Sequence, residues 1–335
     1  MKASVCYMLL ILLCIACAHV NSNLGIQQVY QYPVYPAKVK EKAPALSELL
    51  QVSSNYFTIH SYNDTILRGK NGTEITIRPA CLYTEEKKSP MLPLKVELKE
   101  LYCKSALLKE KAFTRSNGAL LESDGSLYIS VADATGKTML ISCDEAVLVH
   151  IPRTVNPYMH YFEGNRDSAG GMNWNLSEFI KTVKKEPEFR DGEEWIGENP
   201  DFQPPSEIIQ ETENYFFSLK KFGWINCDKF YEDTSEKTDL VAEAQIPDNG
   251  KLFEGYTYIV FDSLFSVMPA YRDEDGSWKS SSLPTGAAIT CISIQKSGEL
   301  LYFGMLKTQV DSDKKTIPLH RIDPLELQKV LELSL

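Results

Sequence analysis

Five dipeptides ending in glycine, Asn71-Gly72, Asn117-Gly118, Asp124-Gly125, Thr135-Gly136 and Ser297-Gly298, divide the chain into short runs of alternating apolar and polar residues. Such dipeptides adopt positive φ at little cost, so each can reverse the chain tightly. Ile75 and Ile77 share one strand face, as do Leu94, Val96 and Leu98. From Tyr56 to Ile151 this is the pattern of an antiparallel sandwich, with strands at 118–122, 126–132, 137–142 and 146–151.

The same signal returns beyond Tyr215, at 222–228, 255–262, 287–296 and 300–307, where Ser297-Gly298 joins the last two as a hairpin. Asp323 is placed as an N-cap and Pro324 as the first helical residue. Leu325, Leu327, Val330, Leu331 and Leu333 give the helix its apolar contacts. Between Glu163 and Glu213, 13 acidic residues face five basic ones, a net charge of −8. Leu176, Phe179, Ile180 and Val183 predict a short amphipathic helix ended by Pro187, and the remainder reads as a solvated connection. The expected fold is therefore mainly β, with two β-rich, sandwich-like domains, an acidic linker and a C-terminal helix. The divisions fall at 1–22 (signal), 23–55 (tether), 56–162, 163–213 (linker) and 214–335.

The 335 residues carry a formal charge of −10, the wrong sign for holding nucleic acid phosphates. An apolar run from Val5 to Ala18 follows a single charge, Lys2, and is short for a membrane span of about 20 residues. It reads as an export signal. Ile15-Ala16-Cys17 resembles the end of a bacterial lipobox, which would make Cys17 the lipid-attachment residue, although Cys14 stands where Leu is usual. Cleavage after Ala18 is the alternative, giving a secreted or periplasmic protein. Downstream of the signal, Cys81, Cys103, Cys143, Cys227 and Cys291 are an odd set without the Cys-x-x-Cys spacing of zinc and redox sites, and buried free thiols are expected.

The segment from Ile66 to Pro79, with Gly69-Lys70-Asn71-Gly72-Thr73 before the strand, resembles the start of the ZU-five β-sandwich family. The likeness continues through Val96 to Glu100 and the strand from Gly125 to Ile129. The His-Phe-Ser sequence at which some of that family cut themselves is absent. Thr114 to Gly118, Leu121 to Gly125, Tyr158-Met159 and the run from Gly223 through Trp224 and Cys227 to Asp228 resemble exported proteins of the Bacteroidetes type. That resemblance implies a lipid-anchored protein of the outer membrane or cell surface. In such a protein the eukaryotic glycosylation patterns at Asn63, Asn71 and Asn175 carry no meaning. Asp64-Thr65-Ile66, Asp167-Ser168-Ala169 and Asp262-Ser263-Leu264 instead resemble the O-glycosylation triplet of that group.

No motif commits the chain to a reaction. Gly136-Lys137-Thr138 resembles the end of a phosphate loop, but Val131 stands where the first glycine is needed. Asp273 to Gly276 and Asp311 to Asp313 lack the spaced ligands of a calcium loop. Cys227 with His60, His150, His160 or His320 as base is a thiolate hypothesis that needs spatial proximity, and Trp224 and Phe222 argue instead for a buried strand. No cofactor, metal or catalytic residue is assigned. Tyr256 and Tyr258 share one strand face while Ile259 and Phe261 share the other, so an extra apolar face must be covered or must bind. With Tyr271 and Trp278 they form the candidate binding surface. The expected role is non-catalytic binding or assembly in the cell envelope, with an envelope protein or glycan as partner and the membrane reached through the N-terminal lipid. The alternative is a secreted hydrolase whose site is assembled from distant residues.

Overall fold

The structure, a computed structural model, describes residues 28–29, 45–156, 158–166, 170–179, 214–246 and 254–335. It is mainly β, and no described helix is long and apolar enough to cross a membrane. The first unit is a sandwich. Its larger sheet runs, in order, Met172–Phe179, His160–Arg166, Gly223–Phe230, Ala119–Ala132, Leu94–Leu101 and Asn55–Ile59, with Arg115–Ser116 paired beside Ala119–Ala132. The facing sheet runs Tyr215–Ser218, Val147–Ile151, Glu74–Ile77 and Thr65–Arg68. Leu94, Val96 and Leu98 project from one sheet onto Ile75, Ile77 and Val149 of the other, and all are buried. Period-two alternation thus places the core as the sequence indicates.

The second unit is a near-closed, barrel-like sheet in the order Gln28–Val29, Leu300–Gln309, Ala288–Ser297, Glu254–Phe261, Val267–Arg272, Trp278–Pro284, Lys237–Gln245 and Lys315–Pro318, with His320–Arg321 also paired to Leu300–Gln309. The last two of the main series pair in parallel. Ile259, Phe261, Ile289, Cys291 and Leu306 fill its interior. The opposite faces of the same strands carry Tyr258, Val260, Ile292, Ile294 and Phe303 into a different cluster, shared with Leu101, Leu107, Leu108, Phe113, Phe162 and Trp174 of the first unit. Backbone hydrogen bonds cross the seam, from Thr114 N to the Val267 carbonyl at 3.0 Å and from Ser123 N to the Phe265 carbonyl at 3.1 Å. The helix Pro324–Ser334 seals this seam with Leu327, Val330 and Leu331, and Asp323 caps it by accepting from Glu326 N at 2.8 Å. Leu325 and Leu333, expected as contacts, face outward.

Four expectations are corrected by this arrangement. Tyr215–Ser218 and Gly223–Phe230, assigned by sequence to the second unit, are hydrogen bonded into the two sheets of the first. Leu176 and Phe179 lie in a strand paired with His160–Arg166; Met172 and Trp174 are both buried there, so the period-two signal just upstream wins over the helical spacing. Ile180 and Val183 lie outside the described residues. Asp124-Gly125 does not turn the chain: Ala119–Ala132 is one continuous strand with a bulge opposite Cys227 and Asp228. Gly125 has φ +132°, and a Cβ there would meet the Tyr102 ring at 2.5 Å, so the bulge needs glycine. The end of the expected tether is a short helix, Leu46–Leu49, whose apolar side enters the shared core, while Gln28–Val29 adds to the barrel edge.

Asn117-Gly118 and Ser297-Gly298 do turn the chain, joining Arg115–Ser116 to Ala119 and Ser297 to Leu300. Cys81 and Cys143, expected as free thiols, form a disulfide across 62 positions with a Cα separation of 5.7 Å. Their approach is set by the pairing of Leu82–Tyr83 with Leu140–Ile141, a long-range event invisible in spacing. Cross-linking a loop of this size contributes roughly 4 kcal/mol in the chain-entropy account. Cys103 is exposed, and Cys227 and Cys291 are buried thiols.

Because strands on both sides of the acidic segment belong to one sandwich, a break between residues 180 and 213 should not release two domains. With a specific protease site engineered there, the nicked fragments are expected to co-elute in native gel filtration and to part only in denaturant.

Candidate functional site

The outer face of the larger sandwich sheet is built by the same alternation that builds the core. Lys95, Glu97 and Lys99 point away from Leu94, Val96 and Leu98, and strand register sets Tyr56 beside Glu97, Tyr128 beside Lys99 and Trp224 beside Tyr128. The barrel and the helix Lys104–Lys109 cover part of this face, where Phe162 and Trp174 are buried and Trp174 Nε1 donates to the Phe113 carbonyl at 2.8 Å. The cover ends at Lys109 to Lys111. A groove of about 470 Å³ lies along that margin, lined by Ser47, Leu50, Glu97, Lys99, Lys109, Glu110, Lys111, Tyr128, Arg166, Gly170 and Trp224.

Glu110 organises it. Its carboxylate accepts from Lys99 Nζ at 2.7 Å and from Val52 N at 2.9 Å, and the Arg166 guanidinium stands 3.8 Å away. Arg166 also donates to the Glu110 carbonyl at 2.6 Å and lies 4.6 Å above the Trp224 ring, which tilts against Tyr128 at 5.0 Å. Lys111, with φ +51°, holds its ammonium 3.7 Å over Tyr256. On the rim Glu97 accepts from Ser54 at 2.6 Å and Tyr56 at 3.4 Å, and Tyr56 is 74% exposed. Aromatic faces, paired cations and carboxylates therefore meet on an open sheet surface. Sequence reasoning missed this site; Trp224 was read as a buried strand residue, and only strand order places it beside Tyr128 and Arg166.

The surface expected from sequence is mostly interior. Tyr258 is 1% exposed in the shared core, 5.8 Å from Phe113, and Trp278 is 6% exposed inside the barrel. Tyr256 stacks on Tyr258 and is partly buried beneath Lys111. Tyr271 alone is well exposed, at 50%, with Arg115 5.3 Å from its ring. The four do not form one platform, because the first unit covers the face that carries Tyr256 and Tyr258 while Trp278 turns into the barrel. Cys17 lies outside the described residues.

Other sequence candidates resolve into structure. In the segment from Ile66 to Pro79, Asn71 N and Thr73 N donate to the buried Glu100 carboxylate at 3.0 and 3.1 Å, and a Cβ at Gly69 would lie 2.6 Å from it. That loop wraps an internal anion. At Thr135-Gly136 the Asp133 carboxylate collects Thr135 N at 2.9 Å and Lys137 N at 3.1 Å, a polar turn. Asp275 and Asp311 cap turns in the same way. Among the described residues no group of three or more His, Cys, Asp or Glu side chains is placed to hold a metal ion. Cys227 is fully buried in the sandwich core, and burial pushes its thiol well above the usual range, so a thiolate nucleophile is disfavoured there.

Beneath the seam the resembling run from Gly223 to Asp228 supplies a buried polar row. The Asn226 carboxamide oxygen accepts from Ser123 and Ser126 at 3.1 and 2.9 Å, and its nitrogen donates to Asp228. Burial pushes the Asp228 carboxyl well up, and the nearby Asp124 charge adds to this.

No protein-family profile matches the sequence, and no curated protein matches it. Fold and groove therefore carry the functional argument.

Two outcomes follow from the buried groups. Tyr258→Ala should cost about 3–5 kcal/mol, whereas Tyr258→Phe should leave the urea midpoint unchanged or raised, because the buried hydroxyl has no hydrogen-bond partner among the described residues. A neutral effect of Tyr258→Ala would return this residue to the surface.

Asp228 gives a pH signature. An unfolded carboxyl releases its proton near 3.8, while the folded one retains it to higher pH, so the folded state binds more protons in between. Stability contributed by this group is full below the unfolded value and is lost as pH rises toward the folded one. The Asp228→Asn variant, which still accepts from Asn226, should show a flatter fall of urea midpoint as pH rises above 3.8 than the wild type.

Proposed function

We propose that this is an exported, lipid-anchored envelope protein of the Bacteroidetes type, with a ZU-five-like sandwich, that acts by binding an envelope component rather than by catalysis. The observation that carries the binding role is the open sheet face, where Trp224, Tyr128 and a set of charged side chains line a groove among the described residues. Rigid rings and fixed charges on a sheet suit recognition, since little order must be imposed when a ligand arrives. Export is supported by the apolar N-terminal run and by the Cys81–Cys143 disulfide, which persists in oxidising compartments. The lipid anchor rests on Cys17 and its lipobox-like neighbours.

A fatty-acid analogue fed to expressing cells should label the wild-type protein and not Cys17→Ala. A photo-crosslinking residue in place of Tyr56 should trap a discrete envelope component in cells, and the Trp224→Phe background should reduce the yield. Labelling that survives Cys17→Ala removes the anchor. A Tyr56 probe that traps nothing removes the binding role.

A further inference from the structure

We propose that the groove receives an acidic sugar residue of a glycan chain, a ring bearing a carboxylate or sulfate; this rests on the binding role above and gives it a ligand class. The first ground is charge. Lys99, Lys109, Lys111 and Arg166 line the groove against Glu97 and Glu110. Counting Glu332, which pairs with Lys109 at 3.3 Å, four cations face three carboxylates among the described residues, a balance of +1 in a chain whose total is −10. Lys99 and Arg166 converge on the Glu110 carboxylate, two cations on one carboxylate. An anion arriving there meets the reverse of the protein's overall sign.

The second ground is the mixture of surfaces. A sugar ring presents C–H faces and a rim of hydroxyls. Tyr128 and Trp224, tilted by 44°, offer ring surface for the former. Glu97, with Ser54 and Tyr56 beside it, offers acceptors and donors for the latter. The volume of about 470 Å³ lies within the range of roughly 300–1,000 Å³ usual for small-ligand sites, so one or two rings fit.

The third ground is where the groove lies. It opens on a sheet face, and the edge strand Asn55–Ile59 reaches only its rim, so a peptide lying in the groove has no strand edge there to pair with. Its charged lining likewise offers no continuous apolar trough for an amphipathic helix. A glycan needs neither.

The test is calorimetric titration of the full-length exported protein, in detergent, with trigalacturonate, maltotriose and a hexaglutamate peptide. Trigalacturonate should bind at least about tenfold more tightly than either of the others, and more weakly at physiological than at low salt. Lys99→Gln should weaken it about tenfold. Lys111→Asn should weaken it severalfold with only a small fall in Tm, because Asn accepts the positive φ of that position and only the contact with Tyr256 is lost. Equal binding of maltotriose overturns the acidic class, and tighter binding of hexaglutamate makes a peptide the occupant. Trigalacturonate binding unchanged in both variants moves the site elsewhere. If no titrant binds, the sugar proposal fails, and trapping by the Tyr56 probe in cells then shows whether the broader binding role survives.

Discussion

The apolar seam between the barrel's outer face and the sandwich is the contact on which the other features depend. Tyr258, Val260, Ile292, Ile294 and Phe303 leave the barrel on the side away from its own core, and Leu101, Phe113, Phe162 and Trp174 meet them from the sandwich. Each large side chain buried there contributes about 1.5–3 kcal/mol. Exposure of the whole set would be an apolar patch far larger than a soluble surface tolerates. The seam thus requires both units at once. The C-terminal helix and the Leu46–Leu49 helix complete it from opposite ends of the chain.

The groove exists because the cover is incomplete. The helix Lys104–Lys109 and the following turn bring Glu110 and Lys111 to the edge of the covered area, and there the sheet's outer face passes from buried aromatics to charged residues. Glu110 ties this margin to the sheet through Lys99, to the N-terminal segment through Val52 and to the neighbouring hairpin through Arg166. A partly buried carboxylate is stable only when its charge is met, so the same pairs that hold the margin also fix the geometry of the groove. Position and recognition chemistry are therefore one set of contacts.

Strands were legible where a plain alternation puts one face in the core, as at Ile75 and Ile77 or Leu94 to Leu98, though not at Met172–Phe179 or Lys237–Gln245; the Asn117-Gly118 turn and the Asp323-Pro324 helix start were legible too. Those signals are local, set by a two-residue period or by a single cap. Legibility failed where partners are distant. Gly223 to Phe230 reads as a strand in isolation, and nothing within it tells which sheet will accept it. Cys81 stands beside Cys143 because Leu82 pairs with Ile141. The groove was hidden for the same reason: Lys99, Tyr128, Arg166 and Trp224 come from four strands.

The doubled apolar face of Glu254–Phe261 divides the two sources of information most clearly. Local composition determined that the strand would carry apolar groups on both sides and that the second side must be covered or must bind. Whether a foreign ligand or the chain itself would cover that side was decided only in the tertiary structure, where Tyr258 packs against Phe113. A side chain's orientation within its strand follows from its immediate neighbours, since alternation is a property of the backbone. What it meets depends on loop paths and strand order, which bring together residues more than a hundred positions apart.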